Sequence, residues 1–453
     1  MRPSYLVSVI RRLFPALQVC ETLPVGSKLT QITSKESGMD YFLNGLQQSR
    51  EGETDPEWET LYSFYRQDPK YRSRVQALMR AALQDGVAAP LSYHTSRELY
   101  GDVMANSVTR LEQFAACAFA HFLQYGMKLT ERVEYEFKPM DMGNVMHEAL
   151  ESFAEEVRKR GMKWTELTEQ ERNEIADRCL DNIVADYGNT VLKSSARNEY
   201  MIERTRRILR RTVWALQKQL EQGEFQPEGF EVTFGGGRID RVDIMEDQNK
   251  VYVKVIDYKT GNTSFDLVYL YHGLQLQLMI YLDGALRVEQ KKYPDKEIIP
   301  AGVFYYNIKD PMIQEKIDAD VEAVSAGLMK ELKMNGLAQA DPELVYRMDS
   351  SLGSIPVAFN KDGSFRKNSS VADRTQFAVL GRYVRTKIEK IRSSILEGDA
   401  EVSPYELGKK NACTYCPYMT VCGFDRRLSG YEFRRLKNFS DEELWKAFDR
   451  EAE

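Results

Sequence analysis

Two neighbouring stretches of the chain decide its fold: GRIDRVD at residues 237–243 and VYVKVIDYKTG at residues 251–261. The second stretch is dominated by β-branched residues and predicts a buried strand. The first predicts a strand that forms a hairpin with it across the polar turn 246–250. Helical patterns precede and follow this pair of strands.

Further strands and helices are predicted on both sides of this hairpin. The other predicted strands lie at 230–234 and 301–306. Apolar residues recur at helical spacing in three segments. The helices predicted from them lie at 108–129, 143–160 and 275–286. Residues 311–400 are predicted to be mostly helical, with a Gly/Ser-rich loop near 349–370.

The composition is that of an ordinary globular chain. Hydrophobic residues make up 43% and charged residues 29% of its 453 residues, which excludes a disordered or collagen-like protein. At roughly 150 residues per domain, this length allows two or three domains. Lys and Arg total 62 and Asp and Glu 68, so the net charge is −6. This balance gives no sign of nucleic-acid binding and does not exclude it, because one basic channel is enough to bind a strand.

Three absent patterns narrow the function and location. No run of about 18 apolar residues is present, so we expect no membrane-spanning helix and no membrane partner. Arg11 and Arg12 follow the short apolar stretch near the N-terminus rather than precede it, unlike a secretion signal. No G-x-x-x-x-G-K-[ST] motif occurs, so this chain alone is not expected to be an ATP motor. We expect a cytoplasmic protein.

The predicted hairpin carries a group of residues suited to metal-assisted chemistry. Asp257 and Lys259 are two residues apart on one strand and therefore point to the same face. We place Asp240 at the end of the preceding strand, where the hairpin brings it near Asp257. Paired carboxylates suit Mg²⁺ or Mn²⁺, and Lys259 can position water or stabilise charge on a phosphate. The alternative is a set of solvent-facing polar residues at a turn.

Two helices offer further candidates for this site. A neutral imidazole from His147 can complete a carboxylate metal site, although a lone histidine is by default a half-buried structural residue. His147 and Glu151 are four apart and share a helix face. Gln277 and Tyr281 have the same spacing. They could touch substrate or be ordinary helix residues, and we weigh the two alternatives about equally.

Cysteines form a second group. Three of the six fall within ten residues: Cys413, Cys416 and Cys422. The natural fourth thiol is Cys117, and four thiolates suit either Zn²⁺ or an iron–sulfur cluster. The alternative is that Cys117 is a small core residue and the three others are unligated. Cys20 and Cys179 are isolated in helix-like surroundings, so we expect them to be packing residues.

These motifs occur in a familiar order. They are Gly143-x3-His147-x2-Leu150-Glu151, Gly237-Arg238-Ile239-Asp240, Ile256-Asp257-Tyr258-Lys259 and Gln277-x3-Tyr281. In that order they resemble the RecB-type nuclease domain of the PD-(D/E)XK superfamily. With the cysteines, the chain resembles the C-terminal part of the AddB family of helicase–nuclease subunits. The most specific element is SVTRLEQFAACAFAHFLQYGMKLTER at 107–132. The resemblance covers roughly 100–430, and residues 1–45 resemble more weakly the end of the helicase-like portion.

The resemblance implies a fold and a set of functional residues. The fold would be α/β, a restriction-endonuclease-like mixed sheet flanked by helices, with large helical insertions. The implied metal ligands are His147, Asp240 and Asp257. The implied catalytic residues are Asp240, Asp257 and Lys259, with Gln277 and Tyr281 accessory. The implied ligands of a 4Fe–4S cluster, which would act as a staple, are Cys117, Cys413, Cys416 and Cys422. Ala118 stands where a proline commonly follows the first cysteine, and we expect it to keep the helix intact.

The resemblance also implies a function, partners and a domain plan. Family members work with an AddA-type helicase–nuclease subunit on double-strand breaks, and the AddB nuclease cuts the DNA strand that ends 5′. We expect a helicase-like remnant at 1–100, the nuclease domain with its cluster at 101–430, and a helical tail at 431–453. Two alternatives stay open: a DNA-binding and assembly module without cleavage, and a Cas4-like stand-alone repair nuclease. Family chains are much longer, so this chain is expected to be a fragment, a split gene product or a shortened homologue.

Overall fold

A computed structural model defines the fold of most of the chain. It describes residues 5–17, 32–50, 56–83, 90–101, 107–130, 139–186, 195–235, 237–313, 320–427 and 430–452. Cys20 lies outside these residues. The chain divides into two compact units, one of residues 1–86 with 428–430 and one of residues 87–427 with 431–453. Among the described residues, each helix is too short or too polar to cross a lipid bilayer.

The first unit is built from helices. They are α1 (Tyr5–Leu13), α2 (Lys35–Arg50), α3 (Pro56–Gln67) and α4 (Arg72–Leu83). The helices α2 to α4 pack around buried aromatic side chains, with the rings of Phe42 and Trp58 stacked 5.0 Å apart. The Trp58 indole N–H donates to the carbonyl of Phe42 at 2.9 Å, so the polar edge of this buried ring is satisfied.

The second unit combines helices on both sides of a sheet. Its helices are α5 (Tyr93–Tyr100), α6 (Val108–Ala116), α7 (Ala118–His121), α8 (Pro139–Lys159), α9 (Glu169–Asp186), α10 (Ala196–Glu221), α11 (Leu267–Tyr271), α12 (Gln277–Lys292), α13 (Val321–Glu331), α14 (Pro342–Met348), α15 (Arg374–Leu396), α16 (Met419–Cys422) and α17 (Asp441–Ala452). Its strands are β1 (Gln226–Phe234), β2 (Gly237–Asp247), β3 (Lys250–Lys259), β4 (Glu297–Asn307), β5 (Asn335–Gln339), β6 (Val371–Ala372), β7 (Tyr405–Leu407), β8 (Lys410–Asn411) and β9 (Arg434–Arg435).

The central sheet is mixed, with strand order β1-β2-β3-β4-β5-β6. The β1–β2, β2–β3 and β4–β5 pairs are antiparallel, whereas β3–β4 and β5–β6 are parallel. The predicted hairpin is thus confirmed as β2 and β3. The parallel step from β3 to β4 needs a crossover, which α11 and α12 supply. A second, small sheet has the order β8-β7-β9.

Apolar residues cover the two faces of the central sheet in separate clusters. On one face, Met245 and Ile256 pack with residues of α8, α9 and α10. On the other face, Ile244 and Val255 pack with residues of α6, α12 and α15. Cys179 is buried in the first cluster, as a packing residue. Because both faces are covered, β3 is a nearly continuous run of apolar residues.

Two expectations about secondary structure were wrong. The segment 311–400 was expected to be mostly helical, but it also contributes β5 and β6 to the central sheet. The helix expected at 108–129 is interrupted at Cys117, where the backbone is extended (φ −164°, ψ 118°) between α6 and α7. The Phe119 N–H donates to the carbonyl of Glu401 at 3.0 Å, so a tertiary contact replaces a helical one beside this break. Ala118 therefore does not keep the helix intact.

Candidate active site

Three carboxylates lie side by side across the first three strands of the central sheet. The β1–β2 register places Glu231 opposite Asp240. The β2–β3 pairing ends at Arg241 and Ile256, and the same register continued by one residue sets Asp240 opposite Asp257. Directly opposed residues of antiparallel strands point to the same face and lie close together. The hairpin therefore assembles a row of acidic side chains at one end of β3.

Asp240 occupies a different place in its strand from the one expected. It is the fourth residue of β2, which begins at Gly237, and not the last. In an antiparallel hairpin the beginning of the first strand lies beside the end of the second. Asp240 therefore still meets Asp257, near the end of β3 at Lys259. The predicted proximity of the two carboxylates is correct, but the reason given for it was wrong.

Glu231 is a member of this row that the sequence analysis missed. Its backbone has a positive φ of 49°, which is uncommon for a residue other than glycine and often marks a functional site. Its carboxylate is nearly buried and forms an ion pair with Arg238 at 2.5 Å. A signal was available, because the pairing of Phe234 with Gly237 across the Gly-rich turn sets the register that brings Glu231 opposite Asp240.

His147 reaches the row from the helix α8. Its Nδ1 lies 3.3 Å from Asp240 Oδ2 and 3.7 Å from Glu231 Oε1. Potential ligand atoms of His147, Glu231 and Asp240 all lie within 4.8 Å of one another. Burial disfavours the charged imidazole, but hydrogen bonding and attraction from the two carboxylates outweigh burial and raise the pKa of His147 to about 10. The imidazole is thus held by two acidic partners.

Asp257 and Lys259 are joined by the side chain of Gln277, the first residue of α12. Lys259 Nζ lies 2.7 Å from Asp257 Oδ2 and donates to Gln277 Oε1 at 2.7 Å. Gln277 Nε2 donates to Asp257 Oδ1 at 2.9 Å and to the Tyr281 hydroxyl at 3.0 Å. The ring of Phe234 packs edge-on against Tyr281. Gln277 therefore contacts both the carboxylate and the lysine, and Tyr281 is joined to them through Gln277.

The surroundings of the row control its charge. Burial, together with repulsion from Asp240, raises the pKa of Asp257 to about 7, although Lys259 opposes the rise. Asp240 Oδ2 accepts the backbone N–H of Tyr258 at 2.7 Å. Burial raises the pKa of Tyr281 to about 12, so its hydroxyl stays protonated at neutral pH. The three carboxylates are thus packed together, and Arg238, His147 and Lys259 each lie beside one or two of them.

This donor set fits a divalent cation. Carboxylate oxygens are the preferred ligands of Mg²⁺ and Mn²⁺, and an imidazole nitrogen is acceptable to Mn²⁺ and similar ions. Asp257 Oδ2 is buried and already lies 2.7 Å from the Lys259 ammonium. The residues whose ligand atoms lie close enough together to hold one ion are His147, Glu231 and Asp240, and the predicted ligand Asp257 is not part of that group. Lys259 supplies positive charge beside Asp257.

The four predicted cysteines converge at a second place. Cys117, Cys413, Cys416 and Cys422 line one small pocket together with apolar side chains such as Phe119 and Phe424. The cysteines of the described residues are free thiols. Burial and the three neighbouring thiols raise the pKa of Cys413 to about 11. Four closely spaced thiols can together ligate a metal ion or cluster. Each thiol loses its proton when it binds and acts as a thiolate ligand.

The local backbone explains how these thiols are presented. The break between α6 and α7 places Cys117 in extended backbone rather than within a helix. Asn411 Oδ1 accepts the backbone N–H groups of Cys413 and Thr414, both at 3.0 Å, and so forms the turn that starts the loop. The backbone N–H of Phe424 lies 3.4 Å from Cys422 Sγ. N–H groups that point at sulfur stabilise a thiolate.

Comparison with known families identifies the fold. Residues 105–423 match the PD-(D/E)XK nuclease superfamily. The chain belongs to the PD-(D/E)XK nuclease superfamily. The predicted fold class is confirmed by this match together with the mixed sheet and its flanking helices.

The PD-(D/E)XK chain also matches a more specific group of proteins. Residues 25–81, which include the helices α2 to α4, match the fifth domain of the ATP-dependent helicase/deoxyribonuclease AddB. The chain is 39% identical over 477 residues to a subunit of the ATP-dependent helicase/deoxyribonuclease of Lachnoclostridium phytofermentans. It is 31% identical over 481 residues to the corresponding subunit of Caldanaerobacter subterraneus subsp. tengcongensis. Each alignment covers 100% of this chain and 41% of the relative. The resemblance to AddB is thus confirmed, and the chain spans about two fifths of the length of these relatives.

Sequence reasoning also missed a residue beside the candidate active site of this PD-(D/E)XK chain. Glu112, in α6, accepts backbone N–H groups at the start of α12. No motif spacing predicts this contact, because the two partners are separated by 164 residues. The segment 107–132 was singled out for its resemblance, but the resemblance does not say what Glu112 does.

Proposed function

We propose that this chain is a metal-dependent deoxyribonuclease that hydrolyses phosphodiester bonds of a DNA strand. The observation that carries the proposal is the row of Glu231, Asp240 and Asp257, with Lys259 beside Asp257 and His147 beside Asp240. The superfamily match supports nuclease chemistry. The deoxyribonuclease names of the relatives support DNA as the substrate.

We propose that His147, Glu231, Asp240 and Asp257 hold Mg²⁺ or Mn²⁺. A bound divalent ion polarises a phosphate oxygen and makes water a better nucleophile at neutral pH. Lys259, whose Nζ lies 2.7 Å from Asp257 Oδ2, orients the attacking water and stabilises negative charge on the phosphate. Gln277 fixes the positions of Lys259 and Asp257 relative to each other, because its side-chain amide bonds to both. Hydrolysis forms a bond from water oxygen to phosphorus and breaks the bond to the leaving nucleotide oxygen.

A cleavage assay tests this function. End-labelled single-stranded DNA is incubated with anaerobically purified chain in Mg²⁺ or in EDTA, beside Asp257→Ala and the matched control Asp295→Ala. Asp295 is an exposed aspartate in the turn before β4. The proposal predicts cleavage in Mg²⁺ by the parent and the control, and none in EDTA or by Asp257→Ala. Cleavage by Asp257→Ala at the parental rate would refute it, and binding of DNA without turnover would favour an assembly module instead.

We propose further that the four clustered thiols bind a 4Fe–4S cluster. Cys117 and the loop of Cys413, Cys416 and Cys422 offer the four ligands that such a cluster needs, in a pocket with apolar walls. Chain purified without air should then be brown and carry about four iron atoms. One zinc atom per chain, with no visible absorption, would assign the site to Zn²⁺ instead.

The names of the relatives suggest the setting in which the chain works. They are called subunits of a helicase/deoxyribonuclease, and residues 25–81 match a domain of AddB. We propose that this chain pairs with an AddA-type helicase subunit, acts on the strand that ends 5′ during repair of double-strand breaks, and does so in the cytoplasm. The AddB match favours this setting over a Cas4-like stand-alone nuclease. Stable co-purification with an AddA-type helicase supports it, and a chain that stays alone beside that subunit contradicts it.

A further inference from the structure

The helix that carries Gln277 and Tyr281 begins in an unusual way. The residue at its N-cap position is Leu276, which is fully buried and has no side-chain oxygen to accept the free N–H groups of the first turn. Other helices of the same unit use their own cap residue for this purpose. One example is α14, where Asp341 accepts the N–H groups of Glu343 and Leu344 at 3.0 and 3.2 Å.

Glu112 supplies an acceptor from outside the helix for the amides of the N-cap residue and of the first helical residue. Its Oε1 accepts the backbone N–H of Leu276 at 2.7 Å and that of Gln277 at 3.1 Å. This carboxylate belongs to α6, a different helix packed against α12. A side chain on one helix therefore fixes the first turn of another, at the residue that bridges Asp257 and Lys259.

The surroundings of Glu112 indicate why its carboxylate needs the hydrogen bonds to α12. Burial raises the pKa of Glu112 to about 7, while the two backbone donors and Lys259 oppose that rise. A carboxyl group in apolar surroundings costs free energy unless hydrogen bonds compensate it. Leu111 and Phe114, its neighbours on α6, are buried. The hydrogen bonds to α12 thus account for a polar side chain at this position.

We propose that Glu112 is a positioning residue of the active site, which holds the first turn of α12 so that Gln277 aligns Asp257 and Lys259. The proposal rests on the proposed nuclease function and names a residue on which that function depends. Without the carboxylate, the N–H groups of buried Leu276 and half-buried Gln277 lose their acceptor, and the first turn of α12 can shift. A shift of about 1 Å in a positioning group can slow chemistry roughly 100-fold. Glu112 itself need not touch DNA or metal for this effect.

The experiment compares Glu112→Ala with Glu112→Gln and with the control Asp341→Ala. The control removes an acceptor of two N–H groups from α14, away from the active site. Single-turnover cleavage of end-labelled DNA, KM for that DNA and the melting temperature are measured for each variant. We expect Glu112→Ala to lose about 10- to 100-fold in the cleavage rate with little change in KM. Glu112→Gln, which keeps an acceptor oxygen, should recover most of the rate, and Asp341→Ala should keep the rate while its melting temperature falls.

Hydrogen exchange of the amides of Leu276 and Gln277 separates this proposal from the nuclease function. We expect faster exchange in Glu112→Ala and protection close to parental in Glu112→Gln and Asp341→Ala. If the parent does not cleave DNA, the proposed function fails while exchange still tests the contact. If Glu112→Ala does not fold, Glu112→Asp is measured instead. Its shorter side chain holds the carboxylate farther from α12, so we expect a smaller loss of cleavage rate and of amide protection. Parental cleavage and parental protection in a folded Glu112→Ala or Glu112→Asp would overturn the proposal.

Discussion

At the scale of single residues, Lys259 is the side chain whose loss should separate metal binding from chemistry. It is a cation among carboxylates and contacts Asp257 and Gln277 without belonging to the usual ligand types of a metal ion. We expect Lys259→Ala to slow cleavage by about 100-fold or more while Mn²⁺ still binds, because a charge-stabilising group is lost and the ligands stay. Single-turnover rates and Mn²⁺ titration measure the two effects. Lys250→Ala, at the exposed start of β3, is the control, and equal rates in the two variants would contradict the role of Lys259.

The pH dependence of cleavage is a second prediction at this scale. A carboxyl group must lose its proton to bind a metal ion, and burial and Asp240 raise the pKa of Asp257 to about 7. The ionised fraction then rises from about one tenth at pH 6 to about one half at pH 7. At Mg²⁺ concentrations below saturation we expect the rate to rise by roughly fivefold or more over that interval, because His147, whose pKa is about 10, must also lose its proton to bind the ion. At saturating Mg²⁺ the profile should flatten. A rate that is constant or falls from pH 6 to pH 7 would contradict this assignment.

At the scale of elements, β2 and β3 share a buried ion group on the face away from Asp240. Asp243 lies 2.5 Å from Arg241 Nε and 2.9 Å from Lys254 Nζ, and all three side chains are almost fully buried. Burial opposes ionisation of Asp243, but the two cations outweigh burial and hold its pKa below the usual range. The GRIDRVD stretch thus serves the site through Asp240 and the fold through Arg241 and Asp243.

Removal of the central carboxylate of this group should destabilise the fold. We expect Asp243→Ala to lower the free energy of unfolding by about 3–5 kcal/mol, because two cations are left buried without a partner. Glu155→Ala, which breaks an exposed pair with Lys159 on α8, should cost at most about 1 kcal/mol. Urea denaturation of both variants measures the difference. Equal losses in the two variants would show that the buried group does not stabilise the hairpin.

Regular patterns made most of these elements predictable. The β-branched run of β3 and the helical spacing of α8 and α12 are local signals, and the structure has a strand and two helices there. The break at Cys117 was not predictable, because it depends on a hydrogen bond from Phe119 to Glu401, far along the chain. The short strands β5 and β6 were missed for a similar reason, since pairing with β4 and with each other stabilises them.

Part of the candidate site was also predictable from the sequence, and part was not. Asp240, Asp257, Lys259 and His147 come together as expected, because hairpin pairing and helix spacing determine their directions. Glu231 was missed because its positive φ breaks the regular alternation of side chains between the two faces of a strand, and the prediction relied on that alternation. Contacts between distant helices leave no local pattern, so the capping of α12 by a residue of α6 had no sequence signal.

At the scale of the whole molecule, the cysteine pocket joins distant parts of the chain. Cys117 precedes the central sheet in sequence, and the loop with Cys413, Cys416 and Cys422 follows it. Ligation would hold the two ends of the nuclease fold together, and its binding free energy would be part of the folding free energy. The pocket is therefore expected to contribute to stability rather than to the chemistry of cleavage.

Loss of one thiol tests that role. We expect Cys416→Ser to lose iron and visible absorption and to melt at a temperature several degrees lower, since a ligand–metal bond is removed. Tyr415→Ala is the matched control, because Tyr415 is 95% exposed in the same loop. Iron analysis and thermal unfolding under anaerobic conditions measure both effects. A Cys416→Ser variant with parental iron content and melting temperature would show that this thiol is not a ligand.

The carboxylate row itself is best tested by the binding of Mn²⁺, followed by electron paramagnetic resonance. The parent chain is titrated beside Asp240→Asn and Glu231→Gln, with Asp295→Asn as the control. We predict that the parent and the control bind Mn²⁺ alike, and that Asp240→Asn and Glu231→Gln each weaken binding by about tenfold or more, because each removes an anionic ligand. Equal Mn²⁺ affinity in all four proteins would contradict the assignment of Glu231, Asp240 and their neighbours as the metal site.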